Sequence, residues 1–316
     1  MAKKVLIVRF SSIGDIVLTT PIIRCVQKQL NAEVHFLTKT KFKNILQHNP
    51  YISKLYSIEG KLSEVIDELT EENYDYIIDL HKNLRTQELK LRLGIKSYTY
   101  NKLNIEKWVR VNLKINRLPE KHIVDRYFEG ISALNVTNDG RGLDHFISPS
   151  EQEESDAIIG AIKHYNVLVL GANYYTKRIP TTLSEQIIRK SEYPIILLGG
   201  KDVSVEANKL ANLYPRETIN LVGKTSLAVS SGIIRRANEI HTGDTGLMHI
   251  AAAYKKKIHT YWGNTIPDFG MYAYLPPIAK DRVDHQVANL SCRPCSKLGY
   301  DKCPKGHFKC MLDIEL

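Results

Sequence analysis

Three segments of the sequence carry polar side chains in spacings that could do chemistry, and each follows a run of apolar residues. In the first, residues 10–15, Ser12 and Asp15 have the S-x-x-D spacing of a capping box, so Asp15 could simply stabilise the start of a helix. Alternatively, the Asp15 carboxylate accepts a proton from a substrate hydroxyl, for which it must lie within hydrogen-bonding distance of that group. The spacing alone leaves both roles open.

The second segment, residues 171–180, contains the adjacent cations Lys177 and Arg178. It is not a Walker A loop, because the glycine before Lys177 and the Ser or Thr after it are missing. Backbone N–H groups, a hydroxyl and two neighbouring cations nevertheless suit a phosphate ester, with Lys177 as a point charge and Arg178 as a planar fork. A solvated basic loop is the alternative.

The third segment, residues 242–253, has the pattern of a strand end, a Gly-Asp-Thr-Gly turn and a helix of small residues. The N–H groups and the dipole of the helix N-terminus favour a pyrophosphate there, and Thr245 can add its hydroxyl. Asp244 could instead cap this helix. His249 lies on the same helix face as Thr245, where it is either a base or a packing residue.

Alternating strand and helix patterns predict how these segments are positioned. Strands are predicted at residues 3–10, 33–37, 54–58, 76–80 and 96–100, and again at 166–170, 194–198, 218–222, 239–242 and 257–262. Helical patterns, one of them at residues 42–47, separate the strands and indicate an α/β fold with mostly parallel sheets. A turn-rich stretch predicts a boundary near residue 150, giving domains 1–150 and 151–316. Ligands of such sheets bind beyond the carboxyl ends of the strands, where the three segments lie.

The composition excludes several classes of protein. With 43% hydrophobic and 25% charged residues in 316, the chain is not disordered, and its apolar runs are too short to span a bilayer. The N-terminus has the basic start of a signal peptide, but Arg9 and Asp15 interrupt the apolar region, so a cytoplasmic location is predicted. The net charge of +10 predicts anionic partners without choosing between nucleic acid, anionic lipid and a phosphorylated substrate.

Residues 5–21, 177–180 and 244–253 resemble, in the same order, the motifs of glycosyltransferase family 9, the ADP-heptose:lipopolysaccharide heptosyltransferases. The resemblance implies a GT-B fold, in which two Rossmann-like domains with mostly parallel sheets face each other across a cleft. The first domain would bind mainly the acceptor and the second mainly the nucleotide sugar. It also implies an inverting, metal-independent transfer of a heptose from ADP-heptose to the lipopolysaccharide inner core, at the cytoplasmic face of the inner membrane.

The resemblance further implies a role for each matching residue. Asp15 resembles the family's general base, which deprotonates the acceptor hydroxyl as it attacks the anomeric carbon. The implied donor-binding residues are Thr176 and Lys177 at the diphosphate, Glu206 at the ribose, Asp244 at the sugar, Thr245 and Gly246 at the pyrophosphate, and the nearby His249. The implied acceptor contacts beside Asp15 are Ser11, Ser12 and Gly14. Cations and helix-end donors can stabilise the departing ADP in place of a metal, so no cofactor is required for transfer.

A basic segment, residues 96–121, has seven Lys or Arg against two Glu, interleaved with Trp108 and other apolar residues. It could be a solvated helix face. Alternatively it contacts a phosphorylated acceptor, through Lys107 and Arg110, or the anionic inner leaflet, where the protein would bind as a peripheral partner.

Four of the five cysteines, Cys292, Cys295, Cys303 and Cys310, crowd the end of the chain with His307 nearby. One C-x-x-C pair and enough ligands predict a possible structural zinc site. Reduced thiols that pack a loop-rich tail are the alternative, and disulfides are not expected in the cytosol.

Other functions stay open at this stage. A member of the same family could use another nucleotide sugar, and a sugar-nucleotide epimerase would share the GT-B fold but need no acceptor. A basic nucleic-acid-binding protein would explain the charge but not the Lys-Arg and Asp-Thr-Gly loops, and the chain has no familiar nucleic-acid-binding motif, so no nucleic acid is expected among its partners.

Overall fold

The computed structural model describes residues 3–279 and 281–316. The chain divides into two compact units. The first is formed by Met1–Lys102 and Lys121–Ser148, and the second by Leu103–Glu120 and Pro149–Leu316.

The second unit therefore includes the segment Leu103–Glu120, which the predicted boundary near residue 150 puts in the first domain. The ammonium of Lys114 is one reason, because it donates hydrogen bonds to the carbonyl oxygens of Cys292 (3.2 Å) and Pro294 (2.7 Å). Side-chain contacts of this kind leave no mark on hydrophobic periodicity, so the sequence pattern did not reveal them.

The first unit is built on a parallel sheet of five strands in the order β3-β2-β1-β4-β5. The strands are β1 (Lys4–Val8), β2 (Glu33–Lys39), β3 (Lys54–Ile58), β4 (Tyr76–Asp79) and β5 (Ser97–Thr99). The central strand β1 is buried from Val5 to Val8, as expected for a strand that helices cover on both faces.

The second unit is built on a parallel sheet of six strands in the order β11-β10-β9-β6-β7-β8. The strands are β6 (Asn166–Val169), β7 (Ile195–Leu198), β8 (Thr218–Asn220), β9 (Glu239–Gly243), β10 (Lys257–Tyr261) and β11 (Arg282–His285). Read from β8, this is the 3-2-1-4-5-6 order of a Rossmann sheet, and the first sheet has the same order without the last strand.

The α-helices connect these strands. They are α1 (Ile13–Val17), α2 (Thr20–Leu30), α3 (Ile66–Glu71), α4 (Leu84–Leu93), α5 (Asn104–Asn112), α6 (Ile123–Gly130), α7 (Pro149–Ile159), α8 (Thr181–Lys190), α9 (Ser204–Leu213), α10 (Leu227–Arg236), α11 (Gly246–Ala253) and α12 (Lys309–Leu312). Within the described ranges, no helix is both long and apolar enough to cross a membrane.

The predicted α/β class with parallel sheets is confirmed, and all ten predicted strands are present. The elements that were missed include the short edge strand β11 and the helices α6, α7 and α12. The helix predicted at residues 42–47 is wrong, since the structure has a 3-10 helix over Thr40–Ile45. Its lysines and single buried residue Ile45 give too little apolar surface to hold a longer helix against the sheet.

Candidate functional site

Asp15 lies in the first unit, in the short helix α1 beyond the end of β1. Its carboxylate accepts hydrogen bonds from the backbone N–H of Ser12 (3.2 Å) and from the Ser12 hydroxyl (2.7 Å), so the capping contact that the spacing suggests is present. The other carboxylate oxygen lies 2.7 Å from the guanidinium of Arg9. The Asp15 side chain keeps 19% of its surface exposed, so capping does not seal it from a ligand.

Two opposing effects set the charge of Asp15. Burial raises the pKa of the carboxyl group, but the positive charge of Arg9 and the hydrogen bonds from Ser12 outweigh burial and hold the pKa below its ordinary value. Asp15 is therefore a carboxylate at neutral pH. It can accept a proton or a hydrogen bond from a hydroxyl group, as a general base must.

Arg9 is a part of this site that the sequence analysis missed. Its Nε donates to the carbonyl of Ser11 (2.6 Å) and its Nη1 to the carbonyl of Leu80 (2.6 Å), so it joins the loop after β1 to the loop after β4. A buried arginine at the end of an apolar strand needs partners for its charge, and that need is the signal that could have identified it. Gly14, another predicted acceptor contact, is buried within α1.

The loop after β4 adds an uncharged imidazole near Asp15. The ring of His81 packs edge-on against Phe10 with 5.3 Å between ring centroids. Burial, assisted by the charge of Arg9, lowers the pKa of His81 to about 4, so the ring is neutral at pH 7. The guanidinium of Arg85 lies 5.2 Å from the centroid of the Phe10 ring and supplies a further cation in this region.

In the second unit, the structure brings two of the three chemistry-bearing loops together. The ammonium of Lys177, in the loop after β6, lies 2.6 Å from the carboxylate of Asp244, in the turn after β9. The hydroxyl of Thr265 donates to the same Asp244 oxygen at 3.0 Å. Both predicted donor-binding residues therefore lie beyond the carboxyl ends of adjacent strands, where open α/β sheets bind ligands.

Two glycines make this approach possible. A Cβ at Gly243 would collide with the backbone carbonyl oxygen of Lys177, and a Cβ at Gly263 would collide with that of Thr176. The loop that carries Lys177 therefore packs directly on the last residue of β9 and on the backbone just after β10, which only glycine allows.

The turn after β9 leads into α11, whose N-terminus lies next to Asp244. The N-cap is Thr245 rather than Asp244: its hydroxyl accepts from the N–H of Met248 (3.4 Å) and is 2.9 Å from the hydroxyl of Thr242. Asp244 is thus left to contact Lys177. The N–H groups of Gly246 and Leu247, at the start of this helix, have no i−4 carbonyl within the helix and are suited to an anion.

The side chains of Thr176 and His249 are both buried within the second unit. Thr176 is 1% exposed, and its hydroxyl accepts from the N–H of Tyr300 (2.9 Å) and donates to the carbonyl of Tyr300 (3.2 Å). Its side chain is therefore committed to the cysteine-bearing end of the chain, a contact that no local sequence pattern announces. His249 is buried inside α11.

Glu206 is exposed near the start of α9, at a pocket of about 120 Å³. Apolar residues and Arg178 line the same pocket, and Tyr175 and Phe308 pack there with 5.3 Å between ring centroids. A carboxylate at the mouth of an apolar pocket can accept hydrogen bonds from hydroxyl groups of a ligand.

Lys107 and Arg110 lie in α5, in the second unit, whereas Ser11, Ser12 and Gly14 lie in the first. The guanidinium of Arg110 donates to the carbonyl of Lys114 (3.0 Å) and lies 4.0 Å from Asp268. The segment also exposes large apolar side chains: Ile105 is 77% exposed and Trp108 is 58% exposed.

The four C-terminal cysteines lie in one region of the second unit. The Cys295 thiol donates to the carbonyl of Cys292 at 3.0 Å, and the Cys292 sulfur lies 3.8 Å from Nε2 of His307. Burial, with a smaller contribution from neighbouring thiols, raises the pKa of Cys295 to about 11 and that of Cys310 to about 12. Cys295 and Cys310 therefore each lie near other thiols of this group.

Over residues 3–279 and 281–316, one trio of metal-binding side chains has its ligand atoms within 4.8 Å of one another, and it is not formed by cysteines. It consists of Glu33, His35 and Glu72. Lys4 lies 2.6 Å and Lys54 2.8 Å from Glu72, so cations already balance this carboxylate. We therefore assign these three side chains a role in stabilising the fold and not in binding a metal ion.

Known proteins are similar to this chain over most of its length. A family model described as Glycosyltransferase family 9 (heptosyltransferase) matches residues 63–302. Lipopolysaccharide heptosyltransferase 1 of Campylobacter coli is 24% identical over 289 residues, which cover 83% of this chain and 84% of that protein.

Solved structures with a similar fold include two heptose-related glycosyltransferases of E. coli. E. coli ADP-heptose lipopolysaccharide heptosyltransferase II is 20% identical with a TM-score of 0.70, covering 98% of this chain and 97% of that one. The iron-containing dodecameric glycosyltransferase TibC from enterotoxigenic E. coli H10407 is 13% identical with a TM-score of 0.58, covering 98% of this chain and 72% of that one. The predicted fold class, GT-B with two Rossmann-like domains, is confirmed.

Proposed function

Because this chain belongs to glycosyltransferase family 9, we propose that it transfers a heptose from ADP-heptose to a sugar of the lipopolysaccharide inner core, with inversion at the anomeric carbon. That it is a glycosyltransferase follows from the family; the donor, the acceptor and the residue roles are the proposal. The observation that carries the proposal is the approach of Lys177 to Asp244, 2.6 Å apart beside the N-terminus of α11.

We assign the donor to the second unit. The ammonium of Lys177 and the first N–H groups of α11, with Thr245 and Gly246, hold the diphosphate, and Asp244 accepts hydrogen bonds from hydroxyls of the sugar. As the bond between the anomeric carbon and the diphosphate breaks, negative charge grows on the departing ADP. Donors already fixed in place stabilise that charge, so the reacting centre needs no metal ion.

Three predicted donor residues take supporting roles. Glu206 accepts hydrogen bonds from the ribose hydroxyls at the pocket it lines. Thr176 fixes the loop through Tyr300 instead of using its hydroxyl on the donor. His249 packs α11 in place.

Asp15 is the general base. Its carboxylate takes the proton of the acceptor hydroxyl as that oxygen forms a bond to the anomeric carbon, and ADP leaves from the opposite face. Arg9 keeps Asp15 ionised, at the cost of some basicity, because its charge lowers the carboxyl pKa. Ser11, Ser12 and Gly14 form the adjacent acceptor surface, and Lys107 and Arg110 are proposed contacts for anionic groups of the acceptor.

The four C-terminal cysteines are proposed to hold a structural metal ion that does not contact the reacting atoms. Four thiols suit zinc or iron, and the structurally similar TibC is iron-containing. The thiols would have to draw closer than they lie here, since no three of the four described cysteine thiols are within 4.8 Å of one another.

The proposed location is the cytoplasmic side of the inner membrane, with α5 touching the bilayer. Ile105, Trp108 and Leu113 expose apolar surface, and the nearby Lys107 and Arg110 match an anionic leaflet. Each cation near such a surface contributes about 1 kcal/mol. In a vesicle-binding assay, Leu113→Ser should weaken binding to anionic vesicles, whereas Leu213→Ser, at an equally exposed leucine of the same unit, should not.

The donor assignment is tested by calorimetric titration with ADP, UDP, GDP and CDP, with and without added Mg²⁺. We expect selective ADP binding in both buffers. Lys177→Ala removes a charge-assisted contact of about 2 kcal/mol and should weaken ADP binding roughly 30-fold. The matched control is Lys257→Ala, because Lys257 forms an equally short pair with Glu239 (2.6 Å) away from the site. Preference for another nucleotide would change the proposed donor, and no nucleotide binding would contradict the proposal.

A further inference from the structure

The cysteine loop, which we define as residues 291–303, contacts the loop that carries Lys177. The N–H of Tyr300 donates to the Thr176 hydroxyl at 2.9 Å, and the N–H of Thr176 donates to the Tyr300 carbonyl at 3.1 Å. Because Thr176 directly precedes Lys177, these bonds fix the backbone from which the Lys177 side chain extends.

The same loop holds the segment that orients Asp244. Arg293 donates to the carbonyls of Gly263 (2.7 Å) and Thr265 (2.9 Å), and the N–H of Cys295 donates to the carbonyl of Asn264 (3.2 Å). All three carbonyls of the segment 263–265 are therefore engaged. The Thr265 hydroxyl in turn donates to Asp244 at 3.0 Å, so one residue separates the cysteine loop from Asp244.

The cysteines are placed where a shared ligand would immobilise this loop. Cys292 and Cys295 flank Arg293, and Cys303 follows Tyr300 by three residues. The loop has no helix or strand of its own, so little regular hydrogen bonding resists its motion. Cys310, by contrast, lies in α12 and is buried in the apolar core of the second unit, where it provides a fixed point.

We propose that the four cysteines bind one thiolate-preferring divalent metal ion and that this ion, by ordering the cysteine loop, positions Lys177 and Asp244 for the donor. Binding releases the thiol protons as the thiolates become ligands. The cysteine loop is thus a positioning element of the donor site that does not touch the reacting atoms. The proposal rests on the proposed function only in taking the donor to be a nucleoside diphosphate sugar.

The test compares metal-free and metal-loaded protein. Metal is removed with a chelator under reducing conditions, and Zn²⁺ or Fe²⁺ alone is added back while metal content, thermal unfolding and ADP affinity are measured. We expect about one ion per chain, and ADP affinity about tenfold weaker in the metal-free form although it remains folded, a loss typical of removing support behind a binding site. Cys303→Ser should lose the metal ion and should bind ADP about as weakly as the metal-free protein. Cys25→Ser, at the buried cysteine of the first unit, should reproduce neither.

Thr265→Val separates metal binding from its effect on the donor. It removes the hydroxyl that contacts Asp244 but no thiol, so metal content should stay at one ion per chain and the affinity for ADP-heptose should fall. Equal ADP affinity with and without metal would contradict the claim that the metal ion positions the donor site. Failure to bind either Zn²⁺ or Fe²⁺ would contradict the metal site itself. In both cases, ADP binding would leave the proposed function standing. If no form binds ADP, both the coupling and the proposed function fail, although the metal content still reports on the site.

Discussion

The pairing of Arg9 with Asp15 predicts how the enzyme responds to pH. The guanidinium lies 2.7 Å from the carboxylate, and both side chains are largely buried. An opposite charge at this distance lowers a carboxyl pKa by about 1 to 3, equivalent to about 1.4 to 4 kcal/mol. Arg9→Gln removes that charge and leaves burial, the largest single effect on Asp15, which acts in the opposite direction.

The charge of Arg9 and the burial of Asp15 act on the Asp15 pKa in opposite directions. In the native protein the pKa of Asp15 lies below its ordinary value of 3.8, so the base is ionised throughout the neutral range and the ion pair stabilises the fold until the pH falls through that low pKa. In Arg9→Gln the pKa should rise from that low value, because burial is then opposed only by the hydrogen bonds from Ser12. The activity should then decline on the acid side at a pH where the native enzyme is still fully active.

The assay is the pH profile of kcat/KM for transfer, measured between pH 4.5 and 8 on protein shown by circular dichroism to be folded. Arg236→Gln is the control, because it breaks an Arg–Asp pair of similar length (2.8 Å to Asp156) in the second unit. We expect an acid limb that moves upward in Arg9→Gln alone. An unchanged profile would refute the role of Arg9 and would leave Asp15 without evidence as the base.

Three further outcomes are expected. Anionic vesicles should shift the fluorescence of Trp108, which is 58% exposed, to shorter wavelength and protect it from quenching by acrylamide, whereas the signal of the buried Trp262 should not change. Neutral vesicles should have no effect, and an equal shift with anionic and neutral vesicles would contradict contact of α5 with an anionic membrane. Gly243→Ala should lower the free energy of unfolding by about 1 to 3 kcal/mol because its Cβ meets a backbone carbonyl, and Gly60→Ala, in open space, should not, as denaturant titration can check. Thr245→Val should cost about 1 kcal/mol through the lost helix cap and weaken ADP binding, while Thr245→Ser should preserve both; an unaffected Thr245→Val would argue against the helix N-terminus as the diphosphate site.

Most of the fold could be predicted because it depends on local periodicity. Buried parallel strands are continuous apolar runs, and β1 with Val5 to Val8 is the clearest of them. Strand β11 escaped because it is only four residues long and contains Arg282, Asp284 and His285, a polar pattern that an edge position tolerates. The membership of Leu103–Glu120 in the second unit depends on contacts such as that of Lys114 with Cys292, which span 178 residues and leave no local signal.

Local sequence likewise predicts some features of the candidate site and not others. The loops bearing Lys177 and Asp244 could be located from their positions after predicted strands, and their meeting follows from the adjacency of β6 and β9. The pairing of Arg9 with Asp15 and the dependence of Thr176 on Tyr300 could not be foreseen, because each requires the three-dimensional neighbours of the residue. The catalytic and binding roles stay predictions until the variants are measured.

The most direct test of the central claim is a transfer assay with ADP-heptose and an inner-core lipopolysaccharide acceptor, comparing the native enzyme with Asp15→Asn. The native enzyme should release one ADP for each heptosylated product. Asp15→Asn should bind ADP normally but lose about 10²- to 10⁴-fold in kcat, the contribution of a positioned general base. No transfer by the native enzyme would contradict the proposed reaction, and full activity of Asp15→Asn would contradict the assignment of its base.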